Sequence, residues 1–161
     1  MKTREDSAAR LMLEDRPVVM GAVMAAMVLL FAGGGVVMLG QDTGLGLALL
    51  GGAAFWGLIL AVFVRRTLLI LDAPSGLVVL RVASVTGQTE RTWPLAALRG
   101  AEVESMRSTT SGKKASMTYR CVLTFDDPPG ARVPVTEAYS GGQGAAQAAG
   151  SVNGWLSRPQ A

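Results

Sequence analysis

Between Pro17 and Val64 the chain carries one ionisable side chain, Asp42. A helix of a soluble protein keeps charges on its wet face, so a block this long and this apolar is built for lipid. Residues 18–39, "VVMGAVMAAMVLLFAGGGVVML", and 44–64, "GLGLALLGGAAFWGLILAVFV", each run for about twenty residues, enough at ~1.5 Å per residue to span the hydrocarbon core of a bilayer. The turn between them, residues 40–43, is only "GQDT". So short a connection forces two antiparallel helices, and residues 17–64 are expected to form a transmembrane helical hairpin.

A charged head precedes the first span, as in a signal peptide, but the run exceeds the ~7–15 residues of such a segment and leads straight into a second span, so no cleavage is expected. Lys2, Arg4, Arg10 and Arg16 lie before the first span, Arg65 and Arg66 follow the second, and the turn has no cation. The positive-inside rule then makes both termini cytoplasmic, with Arg16, Arg65 and Arg66 as topology anchors. Small residues at four-residue spacing, Ala53, Gly57 and Ala61 on one helix and Gly21 with Ala25 on the other, mark the expected helix-packing faces. A second such stripe, Ala22 with Ala26, is available to another membrane protein.

The segment 1–16 reads as a charged cytoplasmic head. Within it "SAARLMLEDRP" has the makings of a helix capped by Ser7, with Leu11, Met12 and Leu13 near the lipid boundary and Arg10 and Arg16 reaching for headgroups. Pro17 suits the start of the next helix.

After Arg66 the period changes. "TLLILD", "LVVLRVAS", "TERTWP", "AEVESMRS", "MTYRCVLTF" and "ARVPVTEA" are short strand-like runs separated by turn residues, and Pro134 in the last one suggests an edge position. "PLAALRG" has room for one helical turn. Residues 141–156 place Ala145, Ala148, Ala149, Val152, Trp155 and Leu156 on one face of a helix, suited to cover a sheet. Residues 65–161 are thus expected to form a cytoplasmic domain of about six antiparallel strands closed by a C-terminal helix, making the whole an α+β membrane protein.

The order of a two-span hairpin, a double-arginine exit, "LLILDAPSGLVVL", "TWPLAALRGAEVE", "YRCVLTF", "VPVTEAYSGG" and a closing Ala-rich helix resembles small bacterial membrane proteins with a pleckstrin-homology-like domain. The layout is also similar to the photosystem I assembly protein family, with two spans before a β-rich tail. The resemblance implies a non-catalytic binding or assembly module.

No constellation of catalytic residues opposes that. The chain lacks histidine, the commonest metal ligand and general base. Its single cysteine, Cys121, excludes an intramolecular disulfide and reads as a buried strand residue. "GLGLALLGG" and "GGQGAAQAAG" match neither phosphate-binding glycine motif. Glu102 and Glu104 share a strand face, and Asp126 with Asp127 sits in a turn, all as solvated surface; Ser111 beside Lys113 and Lys114 lies in a loop too polar to desolvate a lysine. No cofactor or metal is called for.

Four cations, Arg107, Lys113, Lys114 and Arg120, stand without an acid between Ser105 and Phe125. Three readings of that loop stay open: contact with anionic headgroups, worth ~1 kcal/mol per cation at the surface, contact with an acidic protein surface, or a solvated hairpin tip. Nucleic acid does not fit a net charge of +3 with Tyr119 as the one interleaved aromatic. The expectation is an accessory, assembly or scaffold protein of the bacterial inner membrane, docked to a larger integral complex. An anionic-lipid sensor is the alternative, and a membrane-bound enzyme the remote one.

Overall fold

A computed structural model describes residues 1–16, 18–84, 87–108 and 116–159. The fold is α+β: two packed apolar helices, antiparallel strands, and a C-terminal helix on a sheet. The chain divides into two compact units, one of residues 1–15, 67–82 and 89–161, the other of residues 16–66 and 83–88.

The second unit is the helical pair. Helices α1 (Val18–Leu39) and α2 (Thr43–Phe63) are long and apolar enough to cross a membrane, with mean hydropathy 2.4 over Met20–Leu39 and 2.2 over Thr43–Val62. Asp42 begins α2: its carboxylate accepts from the Leu45 amide at 3.1 Å, satisfying an orphan donor of the first turn. Large side chains point outward on both helices, among them Val23, Leu29, Leu30, Val37, Phe55 and Leu58. An apolar outer surface with a narrow packed seam is what lipid-exposed helices require.

The first unit holds the sheets. Strands β1 (Lys2–Asp6), β2 (Arg10–Asp15), β3 (Arg66–Asp72), β4 (Leu77–Ser84) and β5 (Gly87–Pro94) form a five-stranded sheet in chain order. A single 3₁₀ turn, Leu95–Ala97, leads to a second sheet of β6 (Leu98–Ser108), β7 (Ser116–Phe125) and β8 (Ala131–Pro134). Helix α3 (Gly144–Leu156) closes it.

The N-terminal segment corrects the sequence reading. Instead of a charged head with a lipid-facing helix, residues 2–15 supply two strands, and β2 pairs antiparallel with β3. Leu11 stands opposite Leu71 and Leu13 opposite Leu69, and all four are buried. Strand alternation puts both leucines on the core face, an arrangement a helix would forbid. Ser7 caps a turn rather than a helix: its hydroxyl accepts from the Arg10 amide at 3.0 Å, and its own amide donates to the Arg10 carbonyl at 2.9 Å. The helical hairpin is therefore an insertion between two neighbouring strands of one sheet.

One core joins both sheets and α3: Leu11, Leu69, Val78, Leu123, Phe125 and Trp155 lie within it, each essentially inaccessible. Trp93 of β5 stacks on Phe125 of β7 with centroids 5.4 Å apart. Trp155 donates its indole N–H to the Ser7 carbonyl at 2.7 Å, and Arg158 pairs with Asp6, fastening α3 to the β1–β2 turn. The α3 stripe follows its expected spacing, although the helix starts at Gly144, after Gly142 at φ +94°. β8 stops at Pro134, shorter than its sequence pattern, and lies at the edge.

Candidate interaction surfaces

Of the four cations singled out in the sequence, the two within the described residues lie on different strands. Arg107 sits on β6 and Arg120 on β7, while Lys113 and Lys114 lie outside the described residues. The β6–β7 ladder runs without a break from Ala101 opposite Leu123 to Ser108 opposite Ser116. Glu104 faces Arg120 across it and Arg107 faces Met117, so the odd and even positions of β6 put the two arginines on opposite faces.

Arg120 is also engaged. Its Nε donates to Glu104 at 2.7 Å and its guanidinium lies over the Tyr139 ring, 4.5 Å from the centroid. Arg120 holds the Glu104 carboxyl below the usual carboxylate range, and Glu104 raises the Arg120 guanidinium in turn. Glu102, on the same face, pairs with Arg132 at 2.8 Å. These carboxylates are neutralised surface groups. Arg107 is exposed and has no ion pair among the described residues.

What the ladder does present is apolar. Val103, Met106 and Met117 are 42%, 55% and 46% exposed, whereas the other large apolar side chains of the sheets are, apart from Leu77, buried or half-buried. Val103 and Met117 share the face of Arg107, and Met106 projects from the other. The ladder is thus a rib with methionine and valine on its flanks and a cation beside them. The sequence signal was weak: inside a strand, Val103 and Met117 read as core positions.

In the helical pair the seam is built from small residues, but partly different ones from those expected. Ala53 is buried in it, Gly21 faces the Val64 methyls, with an added Cβ 3.7 Å from them, and Ala25 and Ala61 are half-buried. Gly57 is half-buried, but a Cβ there would meet nothing within 4 Å. The close approach occurs at Gly35, Gly46 and Gly52, where an added Cβ would fall 2.9 Å from Leu50, 2.8 Å from the Leu39 backbone and 2.7 Å from Phe31.

The three arginines expected as topology anchors gather at one end of the helical unit. Arg16, Arg65 and Arg66, with Ser84, line a cleft of about 430 Å³ whose apolar side is formed by Val18 and Val64. Arg65 Nε donates to the Val62 carbonyl at 3.4 Å, and Ser84 Oγ to the Gly87 carbonyl at 3.1 Å.

Burial pushes the Cys121 thiol up to about 11, so it is protonated at neutral pH. No group of three histidine, cysteine, aspartate or glutamate side chains is placed to hold a metal among the described residues. Neither a protein-family model nor a curated protein matches this chain.

Proposed function

We propose that the protein is a non-catalytic accessory or scaffold protein of the bacterial inner membrane, with its helical hairpin in the bilayer, both termini cytoplasmic, and its β domain docked on a larger integral complex. One observation carries this reading: the exposed apolar side chains of the sheets concentrate on the β6–β7 rib, at Val103, Met106 and Met117. Methionine-flanked apolar strips with a polar rim are what protein partners bury. Arg107 on the same rib favours a partner surface with an apolar groove and a nearby acidic group. The helix closing an antiparallel sheet is in keeping with a pleckstrin-homology-like module, which resembles this chain in layout.

The test is size and contact. Gently solubilised membranes should yield the tagged protein in a species much larger than its monomer, and a photo-crosslinking side chain in place of Met117, on the face of Val103 and Arg107, should capture one protein. Migration as a lone small species under every growth condition, with no crosslink, overturns the proposal.

A further inference from the structure

β6 is the terminal strand of its sheet, with β7 on one side only. Along such a strand the backbone N–H and C=O of alternate residues point to alternate edges. Asn153 exchanges hydrogen bonds with both backbone groups of Ala101, so Ala101 faces away from β7. Val103, Ser105 and Arg107 face the same way, because the register from Gly100 to Ser108 is unbroken. Two threonines of β7 agree with this phase: Thr124 and Thr118 donate to the carbonyls of Gly100 and Met106, which turn toward β7. The N–H and C=O groups of Val103, Ser105 and Arg107 have no hydrogen-bond partner among the described residues.

Open sheet edges are commonly guarded by proline, a bulge or free charges. β6 has no proline and no register shift after Gly100, and its carboxylates, Glu102 and Glu104, are tied to Arg132 and Arg120 of its own sheet. The far edge of β7 is closed by contrast: the Val135 amide donates to the Cys121 carbonyl, and Tyr119 and Ser140 exchange both backbone bonds. Only the Ala101 end of the β6 edge is closed, by Asn153. Beyond it Val103, Ser105 and Arg107 are all exposed and share one face. A second copy of β6 laid antiparallel on this edge would bring only those same residues to it, and none of them is an acid to meet Arg107.

We infer that the outer edge of β6, from Val103 to Arg107, takes up an extended segment of the partner protein as an added antiparallel strand. The segment carries an acidic side chain opposite Arg107 and, four residues later, an apolar one opposite Val103, since a strand face repeats every second residue. Backbone hydrogen bonds supply the affinity and the two side chains choose the segment. The inference rests on the proposed docking and names the element that the partner supplies.

The full chain, isotopically labelled in detergent micelles, is titrated with a capped synthetic peptide of lysine, aspartate, three threonines, valine and lysine in that order, and its amide resonances are followed. The Val103, Ser105 and Arg107 amides should shift together toward hydrogen-bonded values, and those of Glu104 and Met106 should move least. N-methylation of the central threonine, whose N–H faces β6 in this register, should lower the affinity at least about ten-fold, whereas N-methylation of the threonine before it should not. Ser105→Pro removes one outward N–H without touching the β6–β7 ladder and should cost as much, while Ser105→Ala should not. Arg107→Glu should replace the preference for aspartate with one for lysine at that position of the peptide. Absence of these shifts at millimolar peptide overturns the inference, as does equal binding of the two N-methylated peptides. Concentration-dependent shifts of the same amides without peptide overturn the assignment to a partner protein in favour of a second copy. In membranes, Ser105→Pro should abolish the Met117 crosslink. A large species with that crosslink intact in the variant overturns strand addition and leaves the docking in place, whereas a lone small wild-type species overturns the docking and this inference with it.

Discussion

The side chain of Asn153 and the backbone of Ala101 exchange two hydrogen bonds: Asn153 Oδ1 accepts from the Ala101 amide at 2.8 Å, and Asn153 Nδ2 donates to the Ala101 carbonyl at 2.9 Å. β6 is an edge strand, so these backbone groups have no neighbouring strand on that side. The carboxamide takes the place of one, and it blocks the edge at Ala101 against another chain. Replacing Asn153 with Ala removes both bonds and should cost about 1–3 kcal/mol. Gly100→Ala places a Cβ 2.9 Å from Asn153 Oδ1, so the double variant should lose less than the sum. Urea unfolding of the purified full-length protein measures both.

The N-terminal strands give a sharp contrast between neighbours. Leu11→Ala empties a fully buried site and should cost about 2–5 kcal/mol, while Met12→Ala, at a half-buried site on the other face, should cost under ~1.5 kcal/mol. A lipid-facing helix would make the two equivalent. Thermal denaturation of the two variants checks the difference.

Glycines in the helical pair divide in the same way. Gly46→Ala sets a methyl against the Leu39 backbone and should destabilise the protein by about 1–3 kcal/mol, because backbone cannot rotate away. Gly33→Ala meets nothing within 4 Å and should be neutral or stabilising by up to ~1 kcal/mol through helix propensity. Melting temperatures in one detergent separate them.

Asp72 and Glu104 contribute to acid stability. The Ser75 hydroxyl and the Arg10 guanidinium, which donates to Asp72 at 2.9 Å, hold the Asp72 carboxyl below its ordinary range, and Arg120 does the same for Glu104. A carboxyl lowered in the folded state stabilises the protein above its unfolded value, near pH ~4, and that contribution is lost as pH falls through the folded value. Asp72→Asn with Glu104→Gln should therefore flatten the decline in stability below pH ~4 and leave its shape above pH ~6 unchanged. Unfolding measured across that range reads the difference.

The helices, the six strands after Arg66 and the α3 stripe were legible because their signal is local: hydropathy over twenty residues, alternation over six, and Ala145 to Trp155 on one face. β2 was not, because its evidence is remote. In six residues "RLMLED" satisfies a helix as well as a strand, and what decides between them is Leu69 and Leu71, beyond the whole helical insertion. Glu14 hid the alternation further, since a carboxylate beside Leu13 argues for water, yet it is buried and pairs with Arg4. The basic loop is legible only in part, since Lys113 and Lys114 lie outside the described residues. Nearness in sequence suggested one patch, and the pleat of a two-stranded ladder assigned Arg107 and Arg120 to different sides.

Asp15 and Thr67 occupy opposite places on the β2–β3 ladder, at the point where the helical segment departs and returns. During synthesis β2 emerges before either helix, and its cover, β3, emerges after both. Leu11 and Leu13 therefore spend that interval without the leucines that bury them. Closing the intervening loop costs less entropy once the helices have paired, because the loop's ends are then held near each other. A chain held back in helix pairing would leave a bare, leucine-bearing strand edge.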